Sequence, residues 1–110
     1  MNKYRNQKCT VNGISFDSKK EARRYGELLL LQRAGDISDL RRQVVFELVP
    51  RQKDPDGGYM HAVKYIADFV YYDRARGKTV VEDVKGKKTD VYVIKKKLML
   101  ERHGIKIEEE

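Results

Sequence analysis

Apolar residues recur along the chain with two different periods, one suited to helices and one to strands. The first helical stretch opens at Ser18-Lys19-Lys20-Glu21. This is the capping-box pattern, in which a serine side chain caps the helix and the third residue beyond it reaches back. Ala22, Tyr25, Leu28, Leu29 and Gln32 follow at helical spacing, and Gly35 can take positive φ past the last turn, so a helix is predicted over 18–34. Ahead of it, residues 1–16 read as an arm with one short strand at Gly13–Phe16, and 1–13 as its flexible or exchanged part. Gln43–Val49 is rich in β-branched residues and stops at Pro50. Asp54-Pro55-Asp56-Gly57-Gly58 is a strong turn signal. A second strand, His61–Tyr72, alternates two faces: Val63, Tyr65, Ala67, Phe69 and Tyr71 on one, Ile66, Asp68 and Val70 on the other.

Arg74–Lys78, with Gly77, predicts a hairpin turn into a third strand at Thr79–Lys85, which Gly86 breaks. Thr89 or Asp90 can cap a second helix carrying a narrow apolar stripe of Val91, Ile94 and Leu98. Gly104 ends that helix, and Ile105–Ile107 can form a last short strand. The order α-β-β-β-α-β predicts one α/β domain with a mixed central sheet flanked by helices. Its three consecutive strands suggest an antiparallel meander, and the later helix a crossover to a strand that pairs in parallel.

Composition narrows the function classes. A chain of 110 residues with 40% hydrophobic and 37% charged positions is globular, with a heavily ionised surface. A domain of this size buries roughly two-thirds of its unfolded surface, which leaves room for dimerisation to add buried area. The single cysteine, Cys9, cannot form an internal disulfide and excludes multi-cysteine zinc sites and iron–sulfur clusters. It reads as a spare thiol in a reducing compartment. Leu28–Leu31 is the longest aliphatic run and is too short to span a bilayer, and Met1–Thr10 has no apolar core, so a soluble cytoplasmic protein without membrane contact is expected. Lys plus Arg outnumber Asp plus Glu by 24 to 17, a net charge of +7, which favours an anionic partner and nucleic acid first.

One stretch carries candidate chemistry. Asp68 interrupts the apolar run Tyr65-Ile66-Ala67-Asp68-Phe69-Val70-Tyr71, where an ionised carboxylate is costly unless something pairs with it or coordinates it. After the turn comes Val80-Val81-Glu82-Asp83-Val84-Lys85. Alternation puts Val81, Asp83 and Lys85 on one face and Glu82 and Val84 on the other, so Asp83 rather than Glu82 shares a face with Lys85 unless a bulge intervenes. If the two strands are hairpin neighbours, Asp68 and Asp83 can converge. Two such carboxylates can hold a hard divalent cation that activates water and stabilises charge on a phosphodiester, while a lysine on the same edge neutralises the phosphate.

Asp68, followed after a hairpin by Asp83-Val84-Lys85, resembles the bipartite motif of the PD-(D/E)XK nucleases, with Ala67 where a proline usually stands. The fuller pattern is Phe16-Asp17-Ser18-Lys19-Lys20-Glu21 with Tyr25, then Tyr65-Ile66-Ala67-Asp68-Phe69, then Glu82-Asp83-Val84-Lys85-Gly86. It resembles a small phage- and prophage-encoded branch and is similar to phage Holliday-junction-resolving endonucleases. The resemblance implies a restriction-endonuclease-like core over about residues 14–108. It implies Asp68, Asp83 and the Val84 carbonyl as metal ligands, Lys85 as the catalytic lysine, and Glu21 contributing from the first helix directly or through water. Gln43 is a weaker candidate for the edge of the site. The implied cofactor is Mg2+, with Mn2+ as a substitute and no small-molecule cofactor. The implied partner is DNA, and a resolvase that cuts two strands symmetrically would be a twofold homodimer.

The basic residues fit that picture. Arg23 and Arg24 lie near Glu21, Arg41 and Arg42 precede the first long strand, Lys87 and Lys88 follow Gly86, and Lys95, Lys96 and Lys97 lie on the second helix. Such groups bind phosphates without reading sequence. Plainer roles stand beside each assignment. Glu21 completes a capping box, Asp68 could pair with a buried Lys or Arg, Asp83 and Lys85 could form a surface ion pair, and the basic clusters could be solvated helix faces. Tyr65, Tyr71 and Tyr72 read as core or sheet-surface residues, His61 as a strand-entry residue and His103 as a helix-end residue. The competing functional classes are a non-catalytic nucleic-acid-binding module and a phage accessory protein working through protein contacts.

Overall fold

The computed structural model of the protein describes residues 9–84 and 89–110. It is mixed α/β. Four strands, β3 (Ile37–Val49), β6 (Val63–Asp73), β7 (Lys78–Asp83) and β8 (Glu108–Glu109), form a mixed sheet in the order β3-β6-β7-β8. Two short hairpins, β1 (Cys9–Val11) with β2 (Ile14–Phe16) and β4 (Gln52–Lys53) with β5 (Tyr59–Met60), and two helices, α1 (Lys19–Arg33) and α2 (Asp90–His103), complete it. No helix among the described residues is long and apolar enough to cross a membrane. The chain divides into two compact units, Met1–Leu40 with Tyr71–Thr79, and Arg41–Val70 with Val80–Glu110.

In the first unit, β1 and β2 pair antiparallel with Cys9 opposite Phe16. Asn12 and Gly13 both take positive φ, 50° and 77°, the requirement of a tight two-residue hairpin turn. The expected single strand is thus one arm of a hairpin turning at Asn12-Gly13, and Cys9–Val11 is too short for alternation to show. Residues 1–8 of the expected arm lie outside the described residues. Helix α1 starts as expected: Ser18 is extended and its Oγ accepts the Glu21 N–H at 3.1 Å. Its apolar stripe buries Ala22 and Leu28, the Tyr25 ring lies 5.2 Å from that of Phe16, and the helix packs against β1 and β2. Gln32, expected on that stripe, is exposed, and its side-chain oxygen accepts the Leu40 N–H. Gly35, at φ 86°, turns the chain, and the Asp36 carbonyl accepts from Arg74.

Strand β3 begins at Ile37, earlier than the predicted Gln43. Burial alternates along it from Ser38 to Leu48, through Asp39 and Gln43 at φ 55° and 52°, but polar Ser38 and Arg42 stand at the half-buried positions and hide the apolar period from a sequence reading.

The second unit is built on one apolar cluster: Leu48, Tyr65, Ala67, Val70, Val81, Met99 and Ile107, with Phe46, Tyr92 and Leu98 packed against it. Thr89, not Asp90, caps α2, its Oγ1 accepting from Tyr92, and Gly104 closes the helix at φ 66°. The predicted stripe of α2 is wrong in two of its three members. Val91 and Ile94 are 61% and 57% exposed, and the side facing the core carries Tyr92, Leu98 and Met99. Both sides of the helix are apolar, so burial is decided by which one meets the sheet. Val70 joins Tyr65 and Ala67 in the cluster, and Ala67–Tyr71 is buried throughout, so the predicted two-faced alternation of this strand does not carry through.

Strand β8 follows the expected crossover and pairs in parallel with β7, as Glu82↔Glu108 and Asp83↔Glu109. It lies just past Ile105–Ile107, whose Ile107 is buried in the cluster. His103, in the last turn of α2, places Nε2 2.7 Å from the Glu47 carbonyl, a helix-end role as expected.

Candidate functional site

The second unit carries three buried acids, Asp68 at 2% exposure and Glu82 and Asp83 at 1% each. A carboxylate at such depth stays ionised when donors compensate for lost water. Asp68 sits in β6 and Asp83 ends β7, its neighbour in the sheet. The Val84 N–H, one residue past Asp83, donates to Asp68 Oδ2 at 2.7 Å. This short charge-assisted bond ties the end of β7 to the acid on β6. The Tyr65 hydroxyl donates to Asp83 Oδ2 at 2.8 Å. Val81 belongs to the same apolar cluster as Tyr65, and Glu82, between Val81 and Asp83, is equally buried.

A second phenol–carboxylate pair lies beside the first. The Tyr92 hydroxyl donates to Glu109 Oε2 at 2.8 Å, and Lys96 Nζ is 3.3 Å from the same oxygen. Glu109 is the register partner of Asp83, and the two tyrosine rings are 6.5 Å apart. The Glu110 N–H closes this edge on the Asp83 carbonyl at 3.1 Å. Burial, then the bond to Asp83, push the Tyr65 phenol far above the usual tyrosine range. Burial and the bond to Glu109 do the same for Tyr92. The charges of both Asp83 and Asp68 reach both hydroxyls and add to the rise. Both phenols are therefore fixed as donors at any physiological pH.

Asp68 is thus bonded to Val84, the chain neighbour of Asp83. Lys85, Lys87 and Lys88 lie outside the described residues. Glu21 belongs to the first unit, half-buried in the first turn of α1. Arg23 is exposed there, and Arg24 is paired with Glu27 at 3.1 Å. Gln43 is exposed at its left-handed position in β3. Lys95 is half-buried on α2; Lys96 is held by Glu109 and, with Val93, Lys97, Leu100 and Lys106, lines an open surface groove. Sequence reasoning missed Tyr65 as a partner of Asp83, and Tyr92 and Glu109 altogether. The acidic run at 108–110 carried no signal of its own, because only the parallel register places Glu109 beside Asp83.

Among the described residues, no group of three or more His, Cys, Asp or Glu side chains is placed to hold a metal ion. A pair of carboxylates remains, a donor set that suits Mg2+, which keeps several waters and takes one or two protein carboxylates, better than Ca2+, which takes six to eight oxygens.

A family model described as "Protein of unknown function (DUF1064)" matches residues 1–107. The chain belongs to that family. No curated protein and no solved structure matches it. The DUF1064 match takes in both units, from the N-terminal hairpin through Ile107, and so every acid described above except Glu108, Glu109 and Glu110.

Proposed function

We propose that this DUF1064 chain is a Mg2+-dependent DNA endonuclease of the PD-(D/E)XK type, with a restriction-endonuclease-like core. The observation that carries the reading is the pair of buried carboxylates, Asp68 and Asp83, on adjacent strands, each with an oxygen held by a fixed donor, directly before Val84-Lys85. Burying two acids side by side is unfavourable for stability alone, and a hard cation gives the arrangement a purpose.

In this reading Asp68 and Asp83 hold the metal, with the Val84 carbonyl as a further ligand. When bound, Mg2+ would supply an activated water and charge stabilisation at the scissile phosphate. The Val84 N–H keeps Asp68 oriented, and the Tyr65 hydroxyl keeps Asp83 oriented. Lys85 neutralises the phosphate or orients the attacking water, and Glu21 contributes through the first helix. Arg23, Arg24, Lys87, Lys88, Lys95 and Lys96 bind the DNA backbone. The preferred substrate is branched DNA, such as a four-way junction in phage recombination or processing, cut by a homodimer.

The test is cleavage of linear, nicked and four-way-junction DNA by purified protein with Mg2+ or Mn2+, beside Asp68→Asn and Asp83→Asn. Metal-dependent cleavage that falls at least about a hundredfold in either variant, while DNA binding persists, is the expected result. Salt-sensitive binding without turnover on any substrate would replace the enzyme with a nucleic-acid-binding module. Junction cleavage no faster than linear cleavage would remove the resolvase assignment alone.

A further inference from the structure

We infer that Tyr65 is a positioning residue for the site, fixing the plane of the Asp83 carboxylate and so the oxygen it presents to a divalent cation. This rests on the nuclease reading and names a residue that reading does not require.

The ring of Tyr65 is buried among Leu48, Ala67, Val70, Val81 and Met99, so its hydroxyl has a fixed origin. From there it reaches Asp83 Oδ2 at 2.8 Å. A carboxylate has about four lone-pair sites, and filling one of them on Oδ2 leaves the group ligating capacity while restricting its rotation. Orientation of ligands by such outer partners commonly changes metal affinity by about 10- to 100-fold. Tyr65 does for Asp83 what the Val84 N–H does for Asp68: each bond holds one carboxylate oxygen. A purely structural tyrosine would need only some acceptor for its hydroxyl, with no effect on metal binding.

The protein contains its own control. Tyr92 makes a phenol–carboxylate bond of the same 2.8 Å length, but to Glu109. Titration calorimetry with MgCl2 and MnCl2 alone, without DNA, compares wild type with Tyr65→Phe, Tyr92→Phe and Asp83→Asn. The expected result is metal binding by wild type, loss in Asp83→Asn, at least about tenfold weaker binding in Tyr65→Phe, and a change within about twofold in Tyr92→Phe. Unchanged affinity in Tyr65→Phe, with Asp83→Asn still defective, overturns the inference and leaves the nuclease reading intact. Absence of metal binding by wild type overturns that reading and the inference with it. Should Tyr65→Phe fail to fold, the wild-type Tyr65 hydroxyl proton can be followed by NMR. It should shift in step with Mg2+ occupancy, and a resonance unmoved while the Asp83 signals respond also overturns the inference.

Discussion

The two compact units use their interiors differently. The buried side chains of the first, Phe16, Ala22, Leu28, Ile37 and Tyr71, are apolar or aromatic. The second encloses Asp68, Glu82 and Asp83 within a core of comparable side chains. Apolar burial stabilises at about 25 cal/mol per Å2, whereas buried charges do little better than break even against their lost hydration. The first unit is therefore organised for stability, while the second gives some of it up to keep carboxylates at fixed positions.

Paired substitutions break that contrast most directly. Leu28→Ala in the first unit should lower stability by about 2–5 kcal/mol in denaturant titration, by leaving a cavity in a side-chain site that is fully enclosed. Asp83→Asn should cost less than about 1 kcal/mol, since asparagine still accepts from Tyr65 and removes a buried charge. A larger loss for Asp83→Asn than for Leu28→Ala would reverse the assignment of roles.

A second measurement uses alkali. The folded-state pKa of Tyr65 and that of Tyr92 are raised, so the stability they contribute is complete below the ordinary tyrosine pKa near 10 and declines as pH rises above it. Between that value and the folded pKa, the unfolded chain releases protons that the native state keeps. Thermal melts should fall steeply above pH 10, by about 1 kcal/mol per pH unit for Tyr65, and Tyr65→Phe should flatten the slope more than Tyr72→Phe. Equal slopes in the two variants would count against a special environment for Tyr65. A small effect is expected at the helix caps. Ser18→Ala and Thr89→Ala each remove one side-chain acceptor and should each cost about 1 kcal/mol by chemical denaturation.

Local signals were legible where a single residue decides a conformation. Ser18, Gly35, Pro50, Gly77, Thr89 and Gly104 punctuate the chain as their chemistry dictates, and the mixed sheet with its parallel last strand follows from the order of elements between them. Features decided by a partner distant in sequence were not legible. Val91 and Ile94 look like a core stripe, yet the sheet receives Tyr92 and Met99. Polar Ser38 and Arg42, at half-buried positions of β3, concealed its start. Within the site, Asp68 stood out because an acid is improbable in an apolar strand, and alternation selected Asp83 over Glu82 by its parity with Lys85, which lies outside the described residues. The phenols that hold Asp83 and Glu109 became visible only with the tertiary register.

The parallel pairing of β7 with β8 also orders events in time. A four-residue turn, Arg74–Gly77, is enough to bring β6 and β7 together, whereas the Asp83–Glu109 pairing must wait for α2 to form and cross the sheet. The hairpin that carries both acids can thus form early, and the Glu110 N–H reaches the Asp83 carbonyl late. If opening runs in the opposite order, hydrogen exchange should release the Glu110 amide before those between β6 and β7.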